Sequence, residues 1–218
     1  MTALLSRIVC CGLAGAGCTY VSRLWIKKLQ AQRGLSYDLS RKSELLLLAA
    51  MTLSGAAAGA LSDQVHTLFC AMALLIIGAT VSVIDSSHRI IPNPTVLAVI
   101  LLKLISGIPV LSGPTSNPPL EVGRSLAGLA ACFAIFALPG LFGKNVGAGD
   151  IKLAAAMGFL LGIDKALLGI ALMGLLVLAY TLYQNQLPFL NFIKSSIPMG
   201  PFIAAGMFAA YIGADYIM

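Results

Sequence analysis

Charge is what this sequence has least of. Only 10% of its 218 residues are Asp, Glu, Lys or Arg, and just eight are acidic. A chain so poor in charge lacks the polar surface of a soluble globular protein and the composition of a disordered one. Its five cysteines, Cys10, Cys11, Cys18, Cys70 and Cys132, form no C-x-x-C pair, so neither a zinc site nor a disulfide framework is encoded. Aromatic residues make up 7%, with a single Trp, and they do not alternate with the basic residues. Nucleic-acid binding is excluded by that pattern, and the net charge of +6 needs another explanation.

What the chain has instead is hydrocarbon: 59% of residues are hydrophobic, and the mean hydropathy is +0.94. Apolar segments recur at about 8–25, 44–61, 67–84, 94–111, 125–142, 150–163, 165–183 and 199–217, most of them near the ~20 residues that cross a bilayer. In lipid, backbone N–H and C=O groups must pair within the segment, so Leu-, Ala- and Ile-rich spans are helical. The expected fold is an all-α, polytopic membrane helix bundle of about 6–8 transmembrane helices. Small residues within the spans, as in Ser54-Gly55-Ala56-Ala57-Ala58-Gly59-Ala60, let helix backbones approach closely. The clearest loop is Ser112-Gly113-Pro114-Thr115-Ser116-Asn117-Pro118-Pro119.

The basic residues orient the chain. Arg23, Lys27, Lys28, Arg33, Arg41 and Lys42 lie between the first two spans, which places that connection in the cytoplasm. Counting spans from there puts residues 85–93, 144–150 and 194 on the cytoplasmic side as well. Arg7, Arg124 and Lys165 fall near outer ends, and Lys103 lies inside the fourth span, where its stem is expected to snorkel outward. The positive charge thus serves topology and contact with anionic lipid headgroups.

A carboxylate beside hydrocarbon is costly to keep and marks a functional site by default. Asp150 follows Gly147-Ala148-Gly149 at the mouth of one apolar segment, and Asp85 closes another, on the same predicted face. If the bundle brings the two carboxyls together, like-charge repulsion leaves the pair holding one proton near neutrality. One carboxylate then acts as general base on a water while its protonated partner polarises a peptide carbonyl. That is aspartic-protease chemistry, and it calls for no metal, no cofactor and no covalent intermediate. Gly147 and Gly149 are expected to allow backbone angles and close approaches that lay an extended substrate beside Asp150. Asp150 stands where a helix N-cap would, which makes it the expected ionised member and Asp85 the expected proton holder. Taken alone, Gly-x-Gly-Asp is a weak signal and fits a plain helix cap better.

Three stretches widen the context. Val146-Gly147-Ala148-Gly149-Asp150-Ile151-Lys152-Leu153-Ala154-Ala155-Ala156-Met157-Gly158 resembles the signature of type IV prepilin peptidases, aspartic proteases of the GxGD class. Ile84-Asp85-Ser86-Ser87-His88-Arg89-Ile90-Ile91-Pro92-Asn93 resembles the segment in which that family sets its first catalytic Asp ahead of a Pro-Asn turn. Ile197-Pro198-Met199-Gly200-Pro201-Phe202 is similar to the family's entry into its last helix. The resemblance implies that Asp85 and Asp150 are catalytic, that Gly147 and Gly149 shape the loop, and that Lys152, Pro92 and Asn93 are motif residues bearing on substrate or loop shape. It also implies a division into residues 1–43, a first helix with a basic cytoplasmic loop, and residues 44–218, the protease domain.

Larger bacterial members of that family carry a zinc-binding segment with paired C-x-x-C motifs after the first helix, associated with N-methylation of the new N-terminus. Here residues 22–43 contain no cysteine, so the chain resembles peptidase-only members. The implied partner is a type IV prepilin or pseudopilin, whose short basic leader stays cytoplasmic ahead of a hydrophobic helix. The implied location is the bacterial inner membrane, with the dyad at the cytoplasmic face. A proton- or ion-coupled transporter using both acids as relays is the main rival, disfavoured because the acids share one face and no repeated halves appear. A different GxGD intramembrane protease is a second, disfavoured because the first Asp there lies in a Tyr-Asp context and here it is Ile84-Asp85. Of the remaining polar residues, His88 and Arg89 are expected on a solvated loop, Asp63 and His66 on an ordinary loop, and Asp164 with Lys165 in a turn.

Overall fold

The computed structural model describes residues 2–36, 39–106, 118–142, 147–183 and 197–217. Among them are seven helices: α1 (Thr2–Ala31), α2 (Arg41–Leu61), α3 (Val65–His88), α4 (Asn93–Ser106), α5 (Pro118–Leu141), α6 (Ala148–Tyr183) and α7 (Gly200–Ile217). Five are long and apolar enough to cross a membrane, and α4 and α7 are shorter apolar helices. The chain is an all-α, multi-pass membrane protein. Exposed Leu, Val and Phe side chains cover its flanks, as expected where the solvent is lipid.

Helix ends follow local chemistry, and several lie beyond their expected positions: α1 begins at Thr2, and α5 begins at Pro118, so that Pro118 and Pro119 open a helix instead of ending a loop, as suits proline in a first turn. The first span was expected to end near residue 25, yet α1 continues to Ala31, because Lys27, Lys28, Leu29 and Gln30 are good helix formers and nothing breaks the run. Gly34 stops it at φ 66°, with Gly34 N–H donating to Ala31 O and Leu35 N–H donating to Gln30 O, a Schellman arrangement. The connection to α2 is therefore only residues 32–40, and Ser40 caps α2 by accepting the Ser43 N–H at 3.2 Å. Helix α3 likewise runs one turn past the expected limit at residue 84. It ends when Arg89 turns left-handed (φ 54°, ψ 40°) and its N–H donates to Asp85 O at 2.8 Å.

Helices pair where glycine lets backbones touch. A Cβ on Gly15 would strike the Met51 carbonyl, and one on Gly55 the Cys11 carbonyl, so α1 and α2 lie antiparallel in contact. Gly128 of α5 and Gly158 of α6 meet the same way. The main core lies where α3, α4, α6 and α7 converge, around Val81, Val99, Leu153, Met157 and Ile203. A smaller cluster joins the far end of α1, at Ile26 and Leu29, to Val83 and Ile84 of α3.

Helix α6 is not one straight rod. Tyr180 near its end meets Phe202 of α7 edge to face, ring centroids 5.4 Å apart. Gly200 of α7 bonds Asp85 of α3, and Asp85 in turn lies within electrostatic reach of Asp150 in the first turn of α6. Both ends of α6 are therefore at the same end of the bundle, whereas a straight helix would separate residues 150 and 180 by ~45 Å. The reversal is at Gly162, whose φ of 77° and ψ of 170° are open to glycine and strained for other residues. Arg124 of α5 faces the bend and pairs with Asp164 at 3.9 Å. The segments 150–163 and 165–183 thus pass through the bundle separately, as their sequence suggested.

Candidate active site

One end of the bundle gathers the last turn of α3, the first turn of α6, the N-terminus of α7 and the start of α4. Asp85 sits in the last turn of α3, inside the helix rather than on the loop, and only 5% of its surface is exposed. A carboxylate so buried needs a donor. It has one in the Gly200 backbone N–H, which donates to Asp85 Oδ2 at 2.8 Å.

That donor is free because of how α7 begins. Ile203 N–H donates to Met199 O at 3.0 Å, so Gly200 is the first helical residue and its amide has no partner within the helix. The positive end of the α7 dipole also points at the carboxyl. Glycine is required here by space: a Cβ on residue 200 would lie 2.9 Å from both Asp85 Cβ and Oδ2 and 3.0 Å from Val81 Cγ1.

Asp150 reaches the same place from α6. The Ile151 N–H donates to Gly147 O at 3.3 Å, which makes Gly147 the cap and Asp150 the third helical residue. The expectation that Asp150 is itself the N-cap is thereby corrected. Asp150 remains in the first turn, where the helix dipole acts on it, while the observed backbone donor serves Asp85. The side chain of Asp150 is half-buried, and its charge interacts with that of Asp85.

The glycines of this motif work by closeness alone. Neither Gly147 nor Gly149 has a positive φ. A Cβ on Gly149 would come 3.0 Å from Ile91 Cβ, and one on Gly147 would come 2.7 Å from Asp150 Oδ2. Gly149 thus lets the start of α6 pack against the segment joining α3 to α4. In that segment Pro92 is buried and its carbonyl accepts both the Thr95 hydroxyl at 2.7 Å and the Thr95 N–H at 3.1 Å. Asn93 opens α4 on the exposed side, and Lys152 is exposed on the first turn of α6.

Other polar residues depart from expectation. His88 is not on a solvated loop: it ends α3, and its Nε2 is buried with no hydrogen-bond partner. Arg89 is exposed, as expected. Lys103 lies on α4 in the electrostatic neighbourhood of Glu121 and Cys70, away from the two aspartates. Among the described residues no group of His, Cys, Asp and Glu is arranged to hold a metal. Lys144 and Lys194 lie outside the described residues. The role of Gly200 as a donor was missed in the sequence, although Gly-Pro at a helix start is the signal that could have found it.

The arrangement is a pair of acids from distant parts of the chain, one fixed by a backbone amide, at the polar end of a membrane bundle. The type IV leader peptidase family model matches residues 68–182, which include both aspartates. The prepilin leader peptidase/N-methyltransferase of Bacillus subtilis (strain 168) is 32% identical over 156 residues, covering 69% of this chain. The chain spans 58% of that relative's length. No solved structure matches. The chain belongs to the type IV leader peptidase family.

Proposed function

We propose that Asp85 and Asp150 are the catalytic dyad of an aspartic endopeptidase that removes the basic leader from type IV prepilins or pseudopilins. The observation that carries this reading is the convergence of the two acids at one end of the bundle: Asp85 is in the last turn of α3, and the segment that follows it packs through Ile91 against Gly149, the residue before Asp150 on α6. One carboxylate takes the proton of the attacking water, and the other, protonated, donates to the scissile carbonyl. The Gly200 amide holds Asp85 in one orientation during this exchange.

The site faces the cytoplasm of a bacterial inner membrane in this account. Arg23, Lys27, Lys28, Arg33, Arg41, Lys42, Arg89 and Lys152 all belong to the end of the bundle that holds the aspartates, or to the connections there. Arg7, Lys103, Arg124 and Lys165 belong to the other, and the positive-inside tendency favours the richer end as cytoplasmic. A leader that stays in the cytoplasm joins its hydrophobic helix at this level, where the scissile bond meets the dyad. Residues 44–218 form the catalytic unit, with α1 bracing α2 and α3.

The enzyme cleaves without methylating. Residues 32–40 are all that connect α1 to α2, and they hold no cysteine. A fold of that size would need a metal or disulfide to stand alone. The test is co-expression with candidate prepilins and inspection for the mobility shift of leader removal. Prepilins that remain full length in the presence of inserted enzyme would contradict the proposal.

A further inference from the structure

Helices α2 and α7 diverge on either side of α3 and leave an apolar groove of about 220 Å³ between them. Its floor is Leu74, Gly78 and Ser82, three positions spaced by four along α3. That spacing gives a strip ~12 Å long, a little over two helical turns. Along the walls small residues, Ala50 and Ser54 on α2 and Ala204 and Ala205 on α7, alternate with Leu47, Met51 and Phe208, and Ala50 and Ala205 are exposed at the rim.

The groove leads into the candidate active site. Ser82 stands one turn before Asp85 on α3, and the opposite wall begins with Pro201, next to the Gly200 whose amide holds Asp85. We infer that the hydrophobic helix of the substrate docks in this groove, so that its N-terminal end emerges beside Asp85. This rests on the peptidase reading above and deepens it by assigning the surface that sets the cleavage position. The small wall residues let a helix backbone come close, which is how membrane helices associate where no hydrophobic force drives them, and Leu47, Met51 and Phe208 offer apolar contact to its side chains. Continuity with Asp85 is what identifies the occupant: a helix seated on the floor from Leu74 to Ser82 need unwind only beyond Ser82 to present an extended bond to the dyad.

The test fills the groove and compares two substrates. Enzyme in lipid nanodiscs is given a full-length prepilin and, separately, a short peptide that contains the leader junction but lacks the hydrophobic helix. Ala50→Trp and Ala205→Trp should raise KM for the prepilin about tenfold or more, with peptide cleavage unchanged. Leu53→Trp, at an exposed position on α2 outside the groove, should change neither. Should a filled variant lose both activities, a photo-crosslinker at residue 50 of otherwise unchanged enzyme decides: an adduct with prepilin supports the groove, and adducts with lipid or a second copy alone overturn it. Undiminished prepilin cleavage by both Trp variants also overturns it. Wild-type enzyme that cuts the peptide and the prepilin alike keeps the peptidase reading intact whatever happens to the groove, whereas wild-type enzyme that cuts neither removes both.

Discussion

The backbone amide of Gly200 donates to Oδ2 of Asp85 at 2.8 Å, joining the start of α7 to the last turn of α3. The close fit gives the first prediction. Gly200→Ala places a methyl 2.9 Å from the carboxyl it should support, and neither the backbone of α7 nor the short Asp side chain can yield far. Processing should fall at least about tenfold, with ~1–3 kcal/mol of lost stability from overpacking. Gly213→Ala on the same helix, where a Cβ meets nothing within 4 Å, should process normally. In vitro cleavage and thermal melts of the two variants check this, and equal activity would remove Gly200 from the account.

The bend at Gly162 gives the second prediction. With φ 77° and ψ 170°, any other residue strains the reversal between the two passes of α6. Gly162→Ala should cost ~1–3 kcal/mol, read as a lower melting temperature in detergent. Gly174→Ala, in the second pass with nothing within 4 Å of a Cβ, is the matched control and should melt as wild type or slightly higher.

Topology is open to a labelling experiment. In a cysteine-free background, a thiol at Ser87 or Lys152 should react with an impermeant reagent only from the cytoplasmic side, and one at Asp63 only from outside. All three positions are exposed, the first two at the end with the aspartates and the third between α2 and α3 at the other. Labelling of Ser87 and Lys152 from opposite sides would separate the acids across the membrane.

Methylation is checked by mass spectrometry. Mature pilin made with this chain as the sole processing enzyme should carry an unmethylated N-terminus and need no added zinc. An N-methyl group in a host lacking other pilin methyltransferases would send the search for a second site into the membrane helices.

Much of this could be read in the sequence. Hydropathy alone exposed the bundle, because lipid forces helical pairing on any long apolar run, and it separated the two passes of α6, which meet at the bend at Gly162. The rarity of acids singled out Asp85 and Asp150. Helix ends were less legible: the extension of α1 to Ala31 depended on where a single Gly34 turned the chain, and that of α3 on the left-handed Arg89, which composition does not announce. Least legible was the support of Asp85, since it comes from a backbone amide 115 residues away, and Gly200-Pro201 marks the start of a helix without telling which side chain its free amide meets. The N-cap expectation for Asp150 failed by three residues because Gly147 supplies the capping carbonyl instead.

The most direct test of the account is cleavage of one prepilin by four purified enzymes, Asp85→Ala, Asp150→Ala, Asp85→Asn and Asp150→Asn, beside wild type in the same lipid. Each alanine variant should insert normally and lose processing entirely, and each asparagine variant should be nearly as inactive, because an amide cannot share the proton that passes between two carboxyls. Near-normal processing by either alanine variant would show that the two aspartates are not a catalytic pair.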